Sequence, residues 1–269
     1  MITVLGASGF IGSHLLARLR KLKLQCQGVG RNDPLPDGKL GHAVYCIGVT
    51  ADFRSRLFDT VDAHVCKLLE VVRNCEFESL LYLSSTRLYA GAISSDEEQP
   101  LHVSPRRAND FYDISKLMGE AITLNCGRTG RVARISNVYG PDFTSDNFLS
   151  SLMRQAVAGD KIVLQSAPES EKDYVCLDDV VEQLIWIAAE GKQQIYNVAS
   201  GENVTHKQLA EKLQELTGCE IEFAPNAPVN KFPPITIERQ RRELGFVPSS
   251  LLRDFQWLVR LYKEESSSR

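Results

Sequence analysis

The stretch Met1-Ile2-Thr3-Val4-Leu5-Gly6-Ala7-Ser8-Gly9-Phe10-Ile11-Gly12 runs from an apolar segment through a glycine-rich turn into an amphipathic one that continues with Leu15, Leu16 and Leu19. Strand, glycine turn and helix in that order read as the first unit of a dinucleotide-binding α/β fold. Gly6 permits the sharp turn, Gly9 lets backbone approach a pyrophosphate, and Gly12 lets helix and strand pack closely. The unpaired N–H groups of the new helix then face the anion. The spacing is G-x-x-G-x-x-G rather than G-x-G-x-x-G, and a tight βα turn that binds nothing is the competing reading.

Working outward, residues 24–29 form a second strand and complete a βαβ unit. The turn-rich stretch 32–38 leads directly to a strand at 43–48, which leaves little room for a further strand and helix between them. Val61, Val65, Leu68, Leu69 and Val72 keep helical spacing, residues 80–83 read as a buried strand ending in Ser84-Ser85, and a helix over 108–126 precedes a strand at 131–136. Beyond Pro141 short strands at 161–164, 195–198 and 221–223 alternate with helices near 147–158, 178–190, 205–217 and 249–263, two of them starting at Asp178 and at a Thr205/Gln208 capping box. This pattern predicts an α/β chain: a Rossmann-type doubly wound parallel sheet over 1–141 and a smaller C-terminal substrate-binding lobe over 142–263. Some segments of the lobe return to the sheet, and 264–269 form a frayed tail.

Composition narrows the classes. A chain of 269 residues with 43% hydrophobic content can bury a large core, and 31 basic against 34 acidic residues, a formal charge of -3, argue against nucleic acid or an anionic membrane as partner. Cys26, Cys46, Cys66, Cys75, Cys126, Cys176 and Cys219 are odd in number and scattered without a C-x-x-C pair, so neither a metal site nor a disulfide framework is expected. The first strand begins at residue 2 and no run approaches the ~20 apolar residues of a membrane span, so a cytoplasmic protein with reduced thiols is expected.

Tyr112 and Lys116 stand four residues apart in the helix predicted at 108–126 and emerge on one face. A free phenol titrates near ~10, and a neighbouring cation favours its phenolate, bringing it toward the range of an acid–base catalyst. Ser85, at a strand end, can hydrogen-bond the same reacting oxygen. Taken singly, the Tyr112/Lys116 spacing reads better as an ordinary amphipathic helix, and Ser84-Ser85 has a strand-to-loop turn as its competing reading.

Together with Ser84-Ser85-Thr86-Arg87-Leu88-Tyr89, Arg134-Ile135-Ser136-Asn137-Val138-Tyr139-Gly140-Pro141, Lys172-Asp173-Tyr174-Val175-Cys176-Leu177-Asp178-Asp179 and Glu243-Leu244-Gly245-Phe246, the glycine turn and the Tyr112/Lys116 pair give the chain a resemblance that runs nearly end to end. It resembles the extended short-chain dehydrogenase/reductases, the NAD(P)-dependent epimerases and dehydratases, most of which act on nucleotide-activated sugars. The resemblance implies catalytic roles for Ser85, Tyr112 and Lys116. Tyr112 would exchange the proton, Lys116 would hold the nicotinamide ribose and lower the Tyr112 pKa, and Ser85 would orient the carbonyl. It implies cofactor contacts at Gly6, Ala7, Ser8, Gly9, Phe10, Ile11, Gly12, Arg31, Cys46, Ile47, Gly48, Ser136 and Val138 besides Tyr112 and Lys116. Substrate contacts follow at Ser85, Thr86, Arg87, Asn137, Asn147 and Lys172, although Asn147 also reads as a helix N-cap and Lys172 as a solvated loop charge. It further implies a homodimer paired through helices near 60–75 and 107–126.

Departures from the family pattern narrow the activity. The second strand ends Val29-Gly30-Arg31-Asn32, with Gly30 where an NAD-binding acid is usual. Arg31 can instead meet a 2′-phosphate, so NADP(H) is preferred and NAD(H) is the alternative; a solvated loop Arg is the competing reading. The short stretch 31–43 leaves out the acidic loop that usually contacts adenine. Thr86-Arg87 replaces the Asp-Glu pair of family sugar 4,6-dehydratases, and Arg87 replaces the Cys frequent in family epimerase-reductases. The leading expectation is an NADPH-dependent reductase of a nucleotide-linked keto-sugar, with a 4-keto-6-deoxyhexose as the sugar. Its rivals are an NAD-dependent nucleotide-sugar C4 epimerase, a reductase of a non-sugar carbonyl, and a cofactor-sensing module without turnover.

Overall fold

The computed structural model describes residues 1–30, 32–36, 38–49, 52–159 and 161–267. In chain order the elements are β1 (Ile2–Leu5), α1 (Phe10–Lys21), β2 (Cys26–Val29), β3 (His42–Tyr45), α2 (Leu57–Val61), a π-turn (Asp62–Cys66), α3 (Lys67–Asn74), β4 (Ser79–Ser85) and a 3₁₀ turn (Thr86–Tyr89). Then follow α4 (Asp110–Leu124), β5 (Thr129–Ile135), β6 (Asn137–Tyr139), α5 (Phe148–Ala158), β7 (Ile162–Leu164), β8 (Glu171–Cys176), α6 (Leu177–Glu190) and β9 (Ile195–Val198). The chain ends with β10 (Asn203–Thr205), α7 (His206–Thr217), β11 (Ile221–Phe223), α8 (Glu238–Leu244) and α9 (Leu251–Ser267).

Six parallel strands form the main sheet in the order β2-β1-β3-β4-β5-β9. β1 sits between β2 and β3, so the winding reverses at its carboxyl end, where the Gly6 turn lies; in doubly wound sheets that reversal opens a crevice for a ligand. Among the described residues no strand follows β2 before β3, and β2 lies at the sheet edge. Val4, Leu5, Val44, Tyr45 and Leu80 to Leu83 are buried because helices cover both faces. Leu15, Leu16 and Leu19 of α1 share one core with Val180, Leu184 and Ile187 of α6. On the opposite face, Leu68 and Val71 of α3 and Tyr112 of α4 pack with Tyr45 and Tyr82.

A separate core lies among the C-terminal helices, where Leu152 and Met153 of α5 meet Leu209 and Leu213 of α7 and Phe255 and Leu258 of α9. Two short sheets, β10-β8-β6 and β11-β7, flank it. Thr205 and Gln208 close the capping box at the start of α7. Residues 264–267, read from sequence as a tail, instead complete α9, whose end is held by Tyr262 Oη donating to the Asp142 carbonyl at 2.6 Å and Lys263 Nζ donating to the Leu216 carbonyl at 3.1 Å. Residues 268–269 lie outside the described residues. Among those described, no helix is long and apolar enough to cross a membrane, and no group of three or more metal-ligating side chains converges.

A buried ion pair joins the layers. Glu120 on α4 takes Arg134 Nε and Nη2 of β5 at 3.0 and 2.8 Å, with 5% and 4% of the two side chains exposed. Ser84 Oγ donates to the same carboxylate at 2.6 Å, and Arg134 Nη1 donates to Tyr89 Oη, which donates to Asn197 Oδ1. Removing one partner strands the other charge in a low dielectric. Glu120→Ala is therefore expected to cost about 3–5 kcal/mol in urea unfolding; a loss below about 1 kcal/mol would show the pair to be solvated.

Candidate active site

A cavity of about 830 Å³ opens where β1, β3, β4 and β5 end. Gly6, Ser8, Gly9, Phe10 and Ile11 border it at the turn into α1. Gly6 has φ +86°, a conformation L side chains rarely adopt, and a Cβ there would lie 2.9 Å from Ile47 N. A Cβ on Gly12 would lie 2.3 Å from the Gly6 carbonyl oxygen, so the first turn of α1 sits directly on the loop. Its N-cap is Gly9, which offers no side chain to occupy the open N–H groups, and these are suited to a phosphate. Ala7 and Gly12 stand behind the lining, Ala7 donating its N–H to the Val29 carbonyl at 2.9 Å.

Cys46, Ile47 and Gly48, just after β3, form the adjacent wall. Burial pushes the Cys46 thiol up to about 12, which leaves it a poor nucleophile. Opposite, Ser85 ends β4 and its Oγ accepts the Arg87 N–H at 3.2 Å, capping the 3₁₀ turn. Tyr112 lies in the first turn of α4 with its ring 4.9 Å from that of Phe53. One turn later Lys116 Nζ donates to the Leu83 carbonyl at 2.9 Å and lies 5.9 Å from the Tyr112 ring centre. Serine, phenol and ammonium thus line one cavity with the glycine turn.

The charge states differ from the expectation that Lys116 lowers the Tyr112 pKa. Burial pushes Tyr112 up to about 12, against the opposing pull of the Ser85 hydroxyl and the Arg87 guanidinium. Burial also pushes Lys116 down to about 7, with Glu120 opposing. Helix α4 packs both groups so closely on the sheet that desolvation disfavours phenolate and ammonium alike. The phenol therefore stays protonated, and the ammonium titrates in the neutral range.

The remaining sequence-selected residues reach the same cavity with their side chains differently engaged. Thr86 is buried, and Arg87 is held by Asp113 at 3.0 Å and by the Asn109 carbonyl at 3.2 Å. Asn137 Nδ2 donates to the Asp173 carbonyl, and Ser136 Oγ donates to the Asp173 carboxylate. Val138 lines the cavity. Asn147 caps α5: its Oδ1 accepts the Ser150 N–H at 2.9 Å and its Nδ2 donates to Asp142 at 2.7 Å, so the capping reading describes its side chain. Lys172 belongs to β8 rather than to a solvated loop. Its Nζ lies 5.3 Å from the Phe148 ring centre, it has no carboxylate within ion-pair range among the described residues, and burial together with Arg87 and Arg54 pushes its pKa down.

Arg31 lies outside the described residues. Beside it, Asp33 returns a carboxylate to the end of β2: its Oδ2 accepts the Gly30 N–H at 2.7 Å and stands 2.8 Å from where a Gly30 Cβ would be. This acid does not stand at the strand terminus where the family pattern places it; Asp33 before Pro34 in a turn is its one sequence signal. Phe53, Arg54 and Phe148 were also missed. Arg54 and Arg87 lie over the Phe53 ring at 4.7 and 5.5 Å, and an aromatic beside an arginine in a loop carried no motif.

With this geometry established, comparison with known proteins gives the family. Residues 39–199, more than half of the chain, match the NAD dependent epimerase/dehydratase family. The chain belongs to that family. It is an NAD(P)-dependent enzyme with the Rossmann-type fold of the epimerase/dehydratases. A dTDP-4-dehydro-6-deoxy-D-allose reductase of a Streptomyces species is 24% identical over 222 residues, covering 78% of this chain and 68% of that one. UDP-glucuronic acid decarboxylase 5 of Arabidopsis thaliana is 24% identical over 188 residues, covering 65% of this chain and 54% of that longer one. Among solved structures, MoeE5 in complex with UDP-glucose and NAD superposes with a TM-score of 0.80 at 21% identity, covering 99% of each chain. RMD from Pseudomonas aeruginosa complexed with NADPH gives 0.77 at 20% identity, covering 98% of this chain and 100% of the other. At these identities the structural likeness establishes the fold.

The lowered Lys116 pKa sets a pH dependence for cofactor binding. Where binding uses the ammonium, affinity is flat below about pH 7 and falls above it, by up to about tenfold per pH unit, as free Lys116 loses its proton. Lys116→Met is expected to bind weakly at every pH. Fluorescence titration with NADPH and calorimetry with NAD⁺ across the neutral range check this, and a wild-type affinity that does not change there contradicts it.

Proposed function

We propose that the protein is an NADPH-dependent reductase of a nucleotide-linked keto-sugar, with a 4-keto-6-deoxyhexose as substrate. The observation that carries this reading is a buried, protonated Tyr112 set between Ser85 and Lys116 at the strand ends, beside a glycine turn built for a pyrophosphate. Ketone reduction needs a proton donor at the oxygen that gains negative charge, and a phenol held protonated supplies it. Residues 86–87 carry no carboxylate, which leaves dehydration without an acid and base there. The reductase similarity points the same way.

In this reading the glycine turn and the first turn of α1 hold the pyrophosphate, Lys116 holds the nicotinamide ribose, and Cys46 to Gly48 wall the cofactor side. When bound there, NADPH supplies the hydride. Ser85 Oγ orients the ketone and Tyr112 Oη transfers its proton to the ketone oxygen. Lys172, a half-buried ammonium without a carboxylate partner among the described residues, receives the substrate diphosphate as a point charge, with Phe148 beneath it. The nicotinamide preference rests on Arg31, and the protein is proposed to act in the cytoplasm as a homodimer. Two side chains support the dimer: Met118 of α4, 50% exposed, lies on one of the two segments assigned to it, and Phe58 of α2, 88% exposed, just before the other.

A second reading is favoured by Asp33. A carboxylate at the end of β2 suits the 2′-hydroxyl of NAD, and NAD held through a closed cycle suits a C4 epimerase. Two variants separate the cofactors. Arg31→Ala is expected to weaken NADPH by about tenfold or more and leave NADH unchanged, as loss of a charge-assisted contact requires. If Asp33→Ala weakens NADH and Arg31→Ala has no effect on NADPH, the NAD reading replaces this one.

Tyr112→Phe tests the chemistry itself. Turnover of a keto-sugar is expected to fall by about 10²–10⁴-fold with NADPH affinity nearly intact, because the ring stays and only the proton donor goes. Most of the activity surviving this change would assign the proton to another group.

A further inference from the structure

We infer that His64 is a positioning residue for the catalytic helix: its buried imidazole fixes the distance between the cofactor-side wall and the turn carrying Tyr112 and Lys116. The inference rests on reading Tyr112 and Lys116 as the catalytic pair.

His64 sits inside the π-turn between α2 and α3 and is completely buried. A π-turn inserts an extra residue into a helical path and shifts its side chains off the α-helical register, an arrangement that recurs at functional sites. Tyr45 Oη donates to the Ala63 carbonyl at 2.7 Å and pins this turn to β3. On its other side α4 packs close, since a Cβ on Gly119 would lie 2.9 Å from the His64 carbonyl oxygen.

The hydrogen bonds of the ring have a direction. Val49 N–H donates to Nε2 at 3.2 Å, so that nitrogen is unprotonated and the imidazole is the neutral Nδ1–H tautomer. Nδ1–H then donates to Ser115 Oγ at 2.9 Å, and the Ser115 hydroxyl donates to the Tyr112 carbonyl at 2.7 Å. The chain Val49 to His64 to Ser115 to Tyr112 therefore runs one way, from the loop after β3 into the catalytic turn. The ring edge also meets the Tyr112 ring at 5.3 Å and 84°. At Gly48 an added Cβ would lie 3.4 Å from His64 Nε2 and 3.6 Å from Lys116 Nζ, so wall, imidazole and ammonium meet around one glycine. Reacting groups misplaced by about 1 Å lose on the order of 10²-fold in rate. A rigid ring with an acceptor facing the wall and a donor facing the helix prevents that displacement.

Nitrogen-15 NMR of histidine-labelled protein, with the His64 signals assigned by their loss in His64→Asn, reads the tautomer without any substrate. The neutral Nδ1–H form, unchanged through the neutral range, is the expected result. His64→Asn, Ser115→Ala and the double variant are then compared in NADPH-dependent reduction of dTDP-4-keto-6-deoxyglucose. Because the residues act in series, each single change should lower kcat by at least about tenfold with KM and NADPH affinity shifted less than about threefold, and the double variant should be no worse than the poorer single. Should His64→Asn not fold, its signals are assigned by elimination from variants of the other four histidines, and Ser115→Ala alone carries the kinetic arm. An Nε2–H tautomer, a ring that titrates in the neutral range, unchanged kcat, or losses that add in the double variant would each overturn the inference. A wild type that reduces no keto-sugar would sink the proposed activity instead, and the tautomer would then decide this point.

Discussion

The Glu120–Arg134 pair is the constraint on which the site depends. Two opposite charges with almost no solvent contact must stay paired, and keeping them paired fixes α4 against β5. Ser84 brings the end of β4 to the same carboxylate, one residue before Ser85, while Lys116 lies one helical turn before Glu120. Through Tyr89 and Asn197 the network continues to the Ser95 and Thr236 carbonyls, so segments far apart in sequence share one polar centre. Interlocking of this kind holds a serine, a phenol and an ammonium at the mouth of one sheet.

Desolvation is the second organising effect. The packing that positions Tyr112 and Lys116 removes the water that would stabilise phenolate and ammonium, and it moves the two pKa values in opposite directions, up to about 12 and down to about 7. A cation one helical turn away is too weak to reverse this for the phenol. Burial keeps the tyrosine protonated, as reduction of a ketone requires of its proton donor, and leaves the lysine responsive to neutral pH.

Much of the large sheet was legible because its signals are local. Val4, Leu5 and Val44 lie in short apolar runs beside glycines and Leu81 in one that ends at Ser84-Ser85, and the strands from β1 to β5 lie where those runs predict. That no further strand lies between β2 and β3 among the described residues was legible from the short 32–38 stretch. β6, β8 and β10 were not, because β6 and β10 are three residues long and β8 begins with Glu171 and Lys172, so pairing with one another rather than composition defines them. The Tyr112/Lys116 spacing and the glycine turn stood out as motifs, and the structure brings them together. Asp33 and His64 left no such trace: each acts through a contact between segments, Asp33 by folding back on Gly30 and His64 by bridging Val49 to Ser115.

The direction of hydride flow tests the central claim most directly. The protein is incubated with dTDP-4-keto-6-deoxyglucose and NADPH carrying deuterium at both C4 positions of the nicotinamide, and the sugar nucleotide and released cofactor are analysed by mass spectrometry. A reductase transfers one deuterium to each product molecule and forms an equal amount of NADP⁺. A sugar that is inverted or unchanged, carries no deuterium, and leaves the cofactor without net oxidation would contradict the account.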